Sequence, residues 1–256
     1  MNTVISKLLV YVYSGYNKDV YYEMSIYILS HLSMIQKMTV SEFAQNCHTS
    51  LATVKKFCQL LGYKDFNVMK KYLFSTIVIR EKQIKDRYLT FDENQIFKEI
   101  ECICQTTIDK KQWMASIEKI VDDMHQAKVI YIVGANYPLF LAFNFIEDML
   151  TFKKSCFIQN VDYQIEKYFE NCDAYGLLIA ITGRYFMLNQ AKSQIMQDAC
   201  AQFGIISQND AITDKIKNVN SFIQLPGNDD SESLNLVILN ILILIKFIYY
   251  RKYVIK

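Results

Sequence analysis

Two short stretches bring together side chains with chemistry to offer. In AITGRYF, residues 180–186, a hydroxyl (Thr182), a glycine (Gly183) and a cation (Arg184) follow an apolar run. A hydroxyl, backbone N–H groups bared by a tight turn and a guanidinium together suit a phosphate or another small anion. In HTSLATVKKF, residues 48–57, the seven positions from Ser50 to Lys56 hold two hydroxyls and two ammonium groups. There Ser50 and Thr53 can reach a base edge or a phosphate oxygen, and Lys55, Lys56 and the later Lys64 suit the phosphate backbone of a nucleic acid. Ser50 is equally suited to cap a helix, Thr53 to face solvent and the lysines to solubilise.

The elements that position the second stretch are legible around it. Val40, Phe43, Ala44 and Cys47, then Val54, Phe57, Cys58 and Leu61, are two apolar stripes at helical spacing, separated by CHTS. Ser50 is a good N-cap for the second helix and Gly62 a good stop. Ala44 is small where two helices must cross, and Val54 faces back at it. This is the internal spacing of a helix-turn-helix, with Ser50, Leu51, Ala52 and Thr53 at the leading end of its second helix. In the turn stands His48, which tolerates positive φ better than most residues but less freely than glycine.

Charge agrees with that placement. The 256-residue chain carries a net +2, but residues 1–88 hold 12 Lys and Arg against 6 Asp and Glu, and residues 89–256 hold 16 against 20. A basic front and an acidic back point to a polyanion partner for the front alone. Only 7 glycines and 2 prolines interrupt the chain, so long helices are expected. Leu8 to Tyr13 reads as part of a first helix, because no small-residue cleavage site follows it.

Behind residue 115 the pattern changes. KVIYIV (128–133), SCFIQ (155–159), YGLLIAIT (175–182), GIISQ (204–208) and SFIQLP (221–226) read as buried strands. Helices are expected between them at about 138–151, 163–171 and 187–202, with a short one at 211–217. Apolar strands alternating with helices predict a doubly wound parallel sheet, whose ligands sit beyond the carboxyl ends of the strands. Gly134 to Tyr137 and Thr182 to Tyr185 are two such ends. The expected organisation is therefore an all-α helix-turn-helix domain (1–77), a helical linker (78–114) and an α/β domain (115–256).

Two features limit the function classes. Seven cysteines, at 47, 58, 102, 104, 156, 172 and 200, contain no CxxC pair and have only 3 histidines to join them. They support neither a zinc site nor a disulfide framework, and most read as small core residues of a reduced, cytoplasmic protein. No metal and no cofactor are expected. The run LNLVILNILILIKFIYY (234–250), followed by Arg251 and Lys252, has the look of a membrane anchor. It is slightly short for a span and interrupted by Asn235, Asn240 and Lys246, so it reads as a helix buried all round inside a domain.

Residues 39–66 resemble the N-terminal helix-turn-helix of the RpiR family of bacterial transcriptional regulators. The resemblance rests on Ser50, Thr53, Val54, Lys56, Phe57, Leu61, Gly62, Tyr63 and Phe66, with Lys56 where the family usually has arginine. It implies double-stranded operator DNA as partner, a homodimer or higher homo-oligomer, control of carbohydrate metabolism genes and a C-terminal sugar isomerase (SIS) domain. Residues 117–136 are similar to the helix and first strand that open such a domain.

SIS domains hold sugar phosphates on a Gly-x-Gly-x-Ser turn and a Ser-x-Ser-Gly-x-Thr turn, and this chain departs from both. The first reads Gly134, Ala135, Asn136, Tyr137, Pro138; the second Ala180, Ile181, Thr182, Gly183, Arg184, Tyr185. Each lost hydrogen bond to a charged group is worth roughly 1.5–3 kcal/mol, so three losses remove most of a micromolar affinity of about 8 kcal/mol. Three readings stay open: a phosphosugar site rebuilt on Thr182 and Arg184 beside Gly134, Asn136 and Gly183; a pocket for another small molecule; and a pocket that binds nothing. Tyr137 and Tyr185 read as packing residues. An isomerase is the competing reading, but it needs a general base. Glu147 and Asp148 read as surface charges as readily as catalysts, and His125 precedes the sheet, so no catalytic residue is expected and the chain reads as a regulator.

Overall fold

The computed structural model describes residues 3–14, 18–160, 169–227 and 232–255, and at Ser14, Asn136, Tyr137, Asn160, Tyr185, Phe186, Gln190, Lys192 and Ser193 the backbone only. The chain divides into two compact units, 1–89 and 90–256.

The first unit is helical. It comprises α1 (Val4–Ser14), α2 (Val20–Ser30), α3 (Leu32–Ile35), α4 (Val40–Asn46), α5 (Leu51–Leu60) and α6 (Phe66–Tyr88). The apolar positions of the two sequence stripes close its core. Phe43, Val54, Phe57 and Cys58 are fully buried, and Ala44 is 4% exposed at the α4–α5 crossing. Phe43 stacks on Phe66 with ring centroids 4.6 Å apart, which ties α4 to the start of α6. The expected first helix is present as α1, with Val4, Ile5, Leu8 and Leu9 buried.

The second unit begins with α7 (Glu93–Cys104) and α8 (Lys110–Gln126) and continues as an α/β domain. Its strands are β1 (Val129–Gly134), β2 (Cys156–Asn160), β3 (Ala174–Ile179), β4 (Gln202–Ser207) and β5 (Val219–Gln224). All pair in parallel, in the order β2-β1-β3-β4-β5. Between them run α9 (Asn136–Leu141), α10 (Phe143–Thr151), α11 (Arg184–Leu188), α12 (Gln190–Gln197) and a 3-10 turn (Asp210–Lys215); α13 (Ser233–Tyr249) and a π turn (Tyr250–Val254) follow the sheet. β3 stops three residues short of the expected end, and the single helix expected over 187–202 is two. Of the helix expected at 163–171, residues 163–168 lie outside the described residues. The segment 78–114 is helical, holding the end of α6, all of α7 and the start of α8.

The sheet is covered on both faces, as continuously apolar strands require. On one face Phe169, Met196, Ile212 and Ile216 pack on Val133, Leu178, Phe203 and Ile205. On the other, α8 packs on β3 and β5, and α13 on α7, α8, α9 and α10. By length and composition, Ser233–Val254 is long and apolar enough to cross a membrane, with a mean hydropathy of 1.9, yet it forms the inner layer of this unit: Val237, Ile238, Ile241, Leu244, Ile245 and Ile248 are fully closed to solvent.

Two expectations are corrected. Cys172 and Cys200, read as reduced, form a disulfide across 28 residues, with their Cα atoms 4.7 Å apart. The parallel pairing of β3 and β4 brings their amino ends together, a proximity that spacing along the chain does not reveal. Asp148, read as readily a surface charge, is fully buried against Lys246.

Candidate functional site

In the first unit the candidate site is the outer face of α5. Its approach is fixed by a capping box: Thr39 Oγ1 accepts from the Glu42 N–H, and Glu42 Oε2 accepts from the Thr39 N–H at 2.7 Å. That bond holds the Glu42 carboxyl below its ordinary value. The chain then turns through His48 at φ +49, while the Thr49 N–H donates to Ala44 O at 2.9 Å. Ser50 caps α5: its Oγ accepts from the Thr53 N–H at 3.1 Å and lies 2.9 Å from Thr53 Oγ1. Both hydroxyls are thus engaged with each other at the helix entrance.

Beyond the cap, α5 is two-faced. Val54, Phe57 and Cys58 face the core, and Leu51, Ala52, Lys55, Lys56, Gln59 and Leu60 face solvent. Lys64, just past the helix, is also exposed. Leu51 is 53% exposed at the leading end, an apolar side chain held open beside two ammonium groups. Such a face can lie against a polyanion groove, with the lysines on phosphates and the small and apolar positions against bases. Burial pushes the thiols of Cys47 and Cys58 up to about 11 and 12, so neither is a nucleophile here.

The far end of α5 holds a residue that the motif did not flag. Lys7 of α1 donates its ammonium to Leu61 O at 2.8 Å, 4.5 Å above the Tyr63 ring. A cation at a helix carboxyl end satisfies a carbonyl and opposes the helix dipole. Nothing in the spacing of residues 39–66 points to it.

In the second unit the candidate site is the crevice between β1 and β3, where the strand order reverses. Gly134 pairs with Ile179, so the two turns singled out in the sequence leave neighbouring strand ends. The approach is close: a Cβ on Gly134 would lie 2.8 Å from Ile179 O. Gly183 takes φ +66, and its N–H donates to Ala180 O at 3.2 Å. The Arg184 N–H donates to Thr182 Oγ1 at 3.5 Å; Thr182 is half-buried and Arg184 exposed at the start of α11. Asn136 opens α9, and its side chain, like those of Tyr137 and Tyr185, lies outside the described residues.

The turn is stitched to the end of β4 by residues that the sequence reading did not name. Gln208 N–H donates to Ile181 O at 2.8 Å, Ser207 Oγ accepts from the Asn209 N–H at 3.1 Å, and Asn209 Oδ1 accepts from the Ala211 N–H. Gln208 Nε2 donates to Pro226 O. These polar groups shape the crevice by bonding to the protein. Their position after a strand of a doubly wound sheet was the available clue.

Two of the acid–base candidates, Asp148 and His125, are engaged elsewhere. Asp148 lies 3.0 Å from Lys246 Nζ. His125 ends α8 at the amino edge of the sheet, its ring stacked on Tyr253 at 3.7 Å. Desolvation there and the ammonium of Lys154 lower its pKa. Among the described residues no three His, Cys, Asp or Glu side chains are grouped to hold a metal ion.

Comparison with known proteins adds one family and several distant structures. Residues 23–77 match the family described as helix-turn-helix domain, rpiR family. No curated protein sequence matches the chain. Among solved structures, the Vibrio vulnificus NanR protein complexed with ManNAc-6P is similar at 14% identity and a TM-score of 0.45, over 96% of this chain and 92% of that chain. A hypothetical protein of Methanococcus jannaschii, for which a 3-hexulose-6-phosphate isomerase function is inferred, is similar at 15% identity and a TM-score of 0.45, over 65% of this chain and 93% of that one.

Proposed function

Because residues 23–77 form a helix-turn-helix domain of the rpiR family, we propose that this chain is a DNA-binding transcriptional regulator with α5 as its reading helix. The observation that carries the reading is the two-faced α5 inside that matched segment, with Val54, Phe57 and Cys58 buried and Lys55 and Lys56 exposed. Leu51, Ala52 and Thr53 then meet base edges, Ser50 caps, and Lys55, Lys56 and Lys64 meet phosphates. The α/β unit serves as the sensing part, with Gly134, Asn136, Thr182, Gly183 and Arg184 around the effector. A sugar phosphate or a related small anion is the class that Arg184 suits, and genes of carbohydrate metabolism are the fitting targets. The protein works in the cytoplasm as a homodimer, since two reading helices one DNA turn apart fit a palindrome.

This reading is preferred to a sugar-phosphate isomerase because Asp148 and His125, two of the candidate acids and bases, are committed elsewhere. Asp148 is held by Lys246, and His125 stands at the opposite edge of the sheet.

Binding of the full chain to a duplex pool, followed over a range of salt concentrations, tests the proposal. Lys55→Ala with Lys56→Ala should weaken binding to all sequences and flatten its salt dependence by about two counterions. Unchanged affinity and slope would remove α5 as the DNA-facing helix.

A further inference from the structure

We propose that Cys172 and Cys200 are a reversible thiol–disulfide exchange site for a low-molecular-weight thiol and its disulfide, and that its oxidation state sets how readily the intervening segment opens. The proposal is independent of the DNA-binding reading.

Exposure and proximity together set the pair apart: Cys102 is exposed too, but only Cys172 and Cys200 are joined, with Cα atoms 4.7 Å apart. Both Cys172 and Cys200 are exposed, whereas Cys58 and Cys156 are buried and Cys47 and Cys104 are partly covered. A small thiolate in solution can therefore reach the sulfurs without unfolding the unit, which is the requirement for exchange.

The loops carrying the two sulfurs are also held without the covalent bond. On one side, Asn171 Oδ1 accepts from the Asp173 N–H at 2.9 Å, Asn171 O accepts from the Ala174 N–H, and Lys128 pairs with Asp173 at 2.5 Å. On the other, the N–H groups of Cys200 and Ala201 both donate to Phe169 O, at 2.8 and 3.1 Å. Asn218, held at φ +59, extends its amide to the carbonyls of Ala199 and Cys200. After reduction these bonds and the β3–β4 ladder keep the two thiols side by side, so the site is built to close again.

What the bond encloses gives it a consequence. Residues 173–199 contain β3, the Thr182–Gly183–Arg184 turn, α11 and α12. The crosslink closes this loop at the amino edge of the sheet, and the ligand-facing turn lies at the other edge. A bond that closes such a loop limits the open conformations of everything within it.

Oxidation proceeds in two balanced displacements. One thiolate of the pair attacks a sulfur of RS–SR, forming a protein–SR mixed disulfide and releasing RS⁻. The second thiolate then attacks the protein sulfur, closing Cys172–Cys200 and releasing the other RS⁻. Two protein thiols are oxidised, one RS–SR is reduced to two RSH, and the two thiol protons end on the leaving thiolates.

The test equilibrates the full chain, without denaturant, in buffers of varied reduced-to-oxidised glutathione ratio, then alkylates it and reads each cysteine by peptide mass spectrometry. Cys172 and Cys200 should become alkylatable together as the ratio rises, while Cys58 and Cys156 stay protected. Hydrogen exchange of residues 184–197 should be on the order of a hundredfold faster in the reduced form. Cys172→Ser and Cys200→Ser should show the fast exchange in every buffer. The proposal is overturned if the pair stays closed at every ratio until denaturant is added, if both thiols alkylate even in the most oxidising buffer, or if exchange over 184–197 is the same in both forms. These wild-type measurements decide the matter even where a variant fails to fold.

Discussion

The ammonium of Lys246 lies 3.0 Å from Oδ2 of Asp148, and the two side chains are 5% and 0% exposed. Lys246 also stands 4.5 Å from the centroid of the Phe247 ring. A charge in the last turn of an apolar helix is thereby answered by one on α10, inside the same unit.

Removing one partner leaves the other charge buried alone. Asp148→Ala or Lys246→Ala should each destabilise the α/β unit by roughly 3–5 kcal/mol, read by chemical denaturation. The double replacement Asp148→Leu with Lys246→Met should cost much less than the sum, because no unpaired charge remains. Additive losses would mean that the two side chains act independently.

Lys7 should matter to the helical unit through Leu61 O and Tyr63. Lys7→Met should lower stability by about 1 kcal/mol, at the low end for a charged hydrogen bond because the contact is only partly buried. Urea unfolding of the 1–89 unit measures it, and Lys7→Arg, which keeps a donor, should recover part of the loss.

The crevice turn separates shape from recognition. Gly183→Ala meets the strain of φ +66, roughly 1–2 kcal/mol. Gly134→Ala should cost more, since its Cβ would press on Ile179 O within the β1–β3 ladder. Thermal unfolding ranks the two. Arg184→Ala, at an exposed position, should leave the melting temperature of the free protein unchanged and abolish any thermal shift given by a phosphosugar panel.

His125 should titrate low. Desolvation beneath Tyr253 and the nearby Lys154 ammonium favour the neutral ring, so its NMR midpoint should fall below the ordinary value of about 6.5. The unfolded state then binds the proton more readily, so the histidine's contribution to stability is fully present above about pH 6.5 and declines as pH falls toward the folded midpoint. Tyr253→Ala should move the midpoint back up.

Much of this was legible because local rules and tertiary structure agree. The stripes Val40–Cys47 and Val54–Leu61 became α4 and α5, Ser50 caps as its position implied, and His48 takes the positive φ that the turn asked of it. The apolar runs became strands in parallel, and Gly134 and the 180–184 turn meet at the order reversal. The features that escaped are contacts between residues distant in sequence. Spacing cannot show that Asp148 faces Lys246, that Lys7 reaches Leu61, or that the amino ends of β3 and β4 join two cysteines. The stitching of the crevice turn by Ser207, Gln208 and Asn209 depends on strand adjacency in the same way.

The clamp on Leu61 bears on how the domain can be cut. The matched family segment begins at residue 23, whereas the ammonium that closes the carboxyl end of α5 comes from residue 7. The recognisable module and the cooperatively folded piece therefore differ in length. A fragment trimmed to residues 23–77 keeps every residue of the motif and loses α1, whose Val4, Ile5, Leu8 and Leu9 fill the core. Such a fragment would present α5 with a frayed end, and a weak DNA binder obtained that way would report on the cut rather than on the protein.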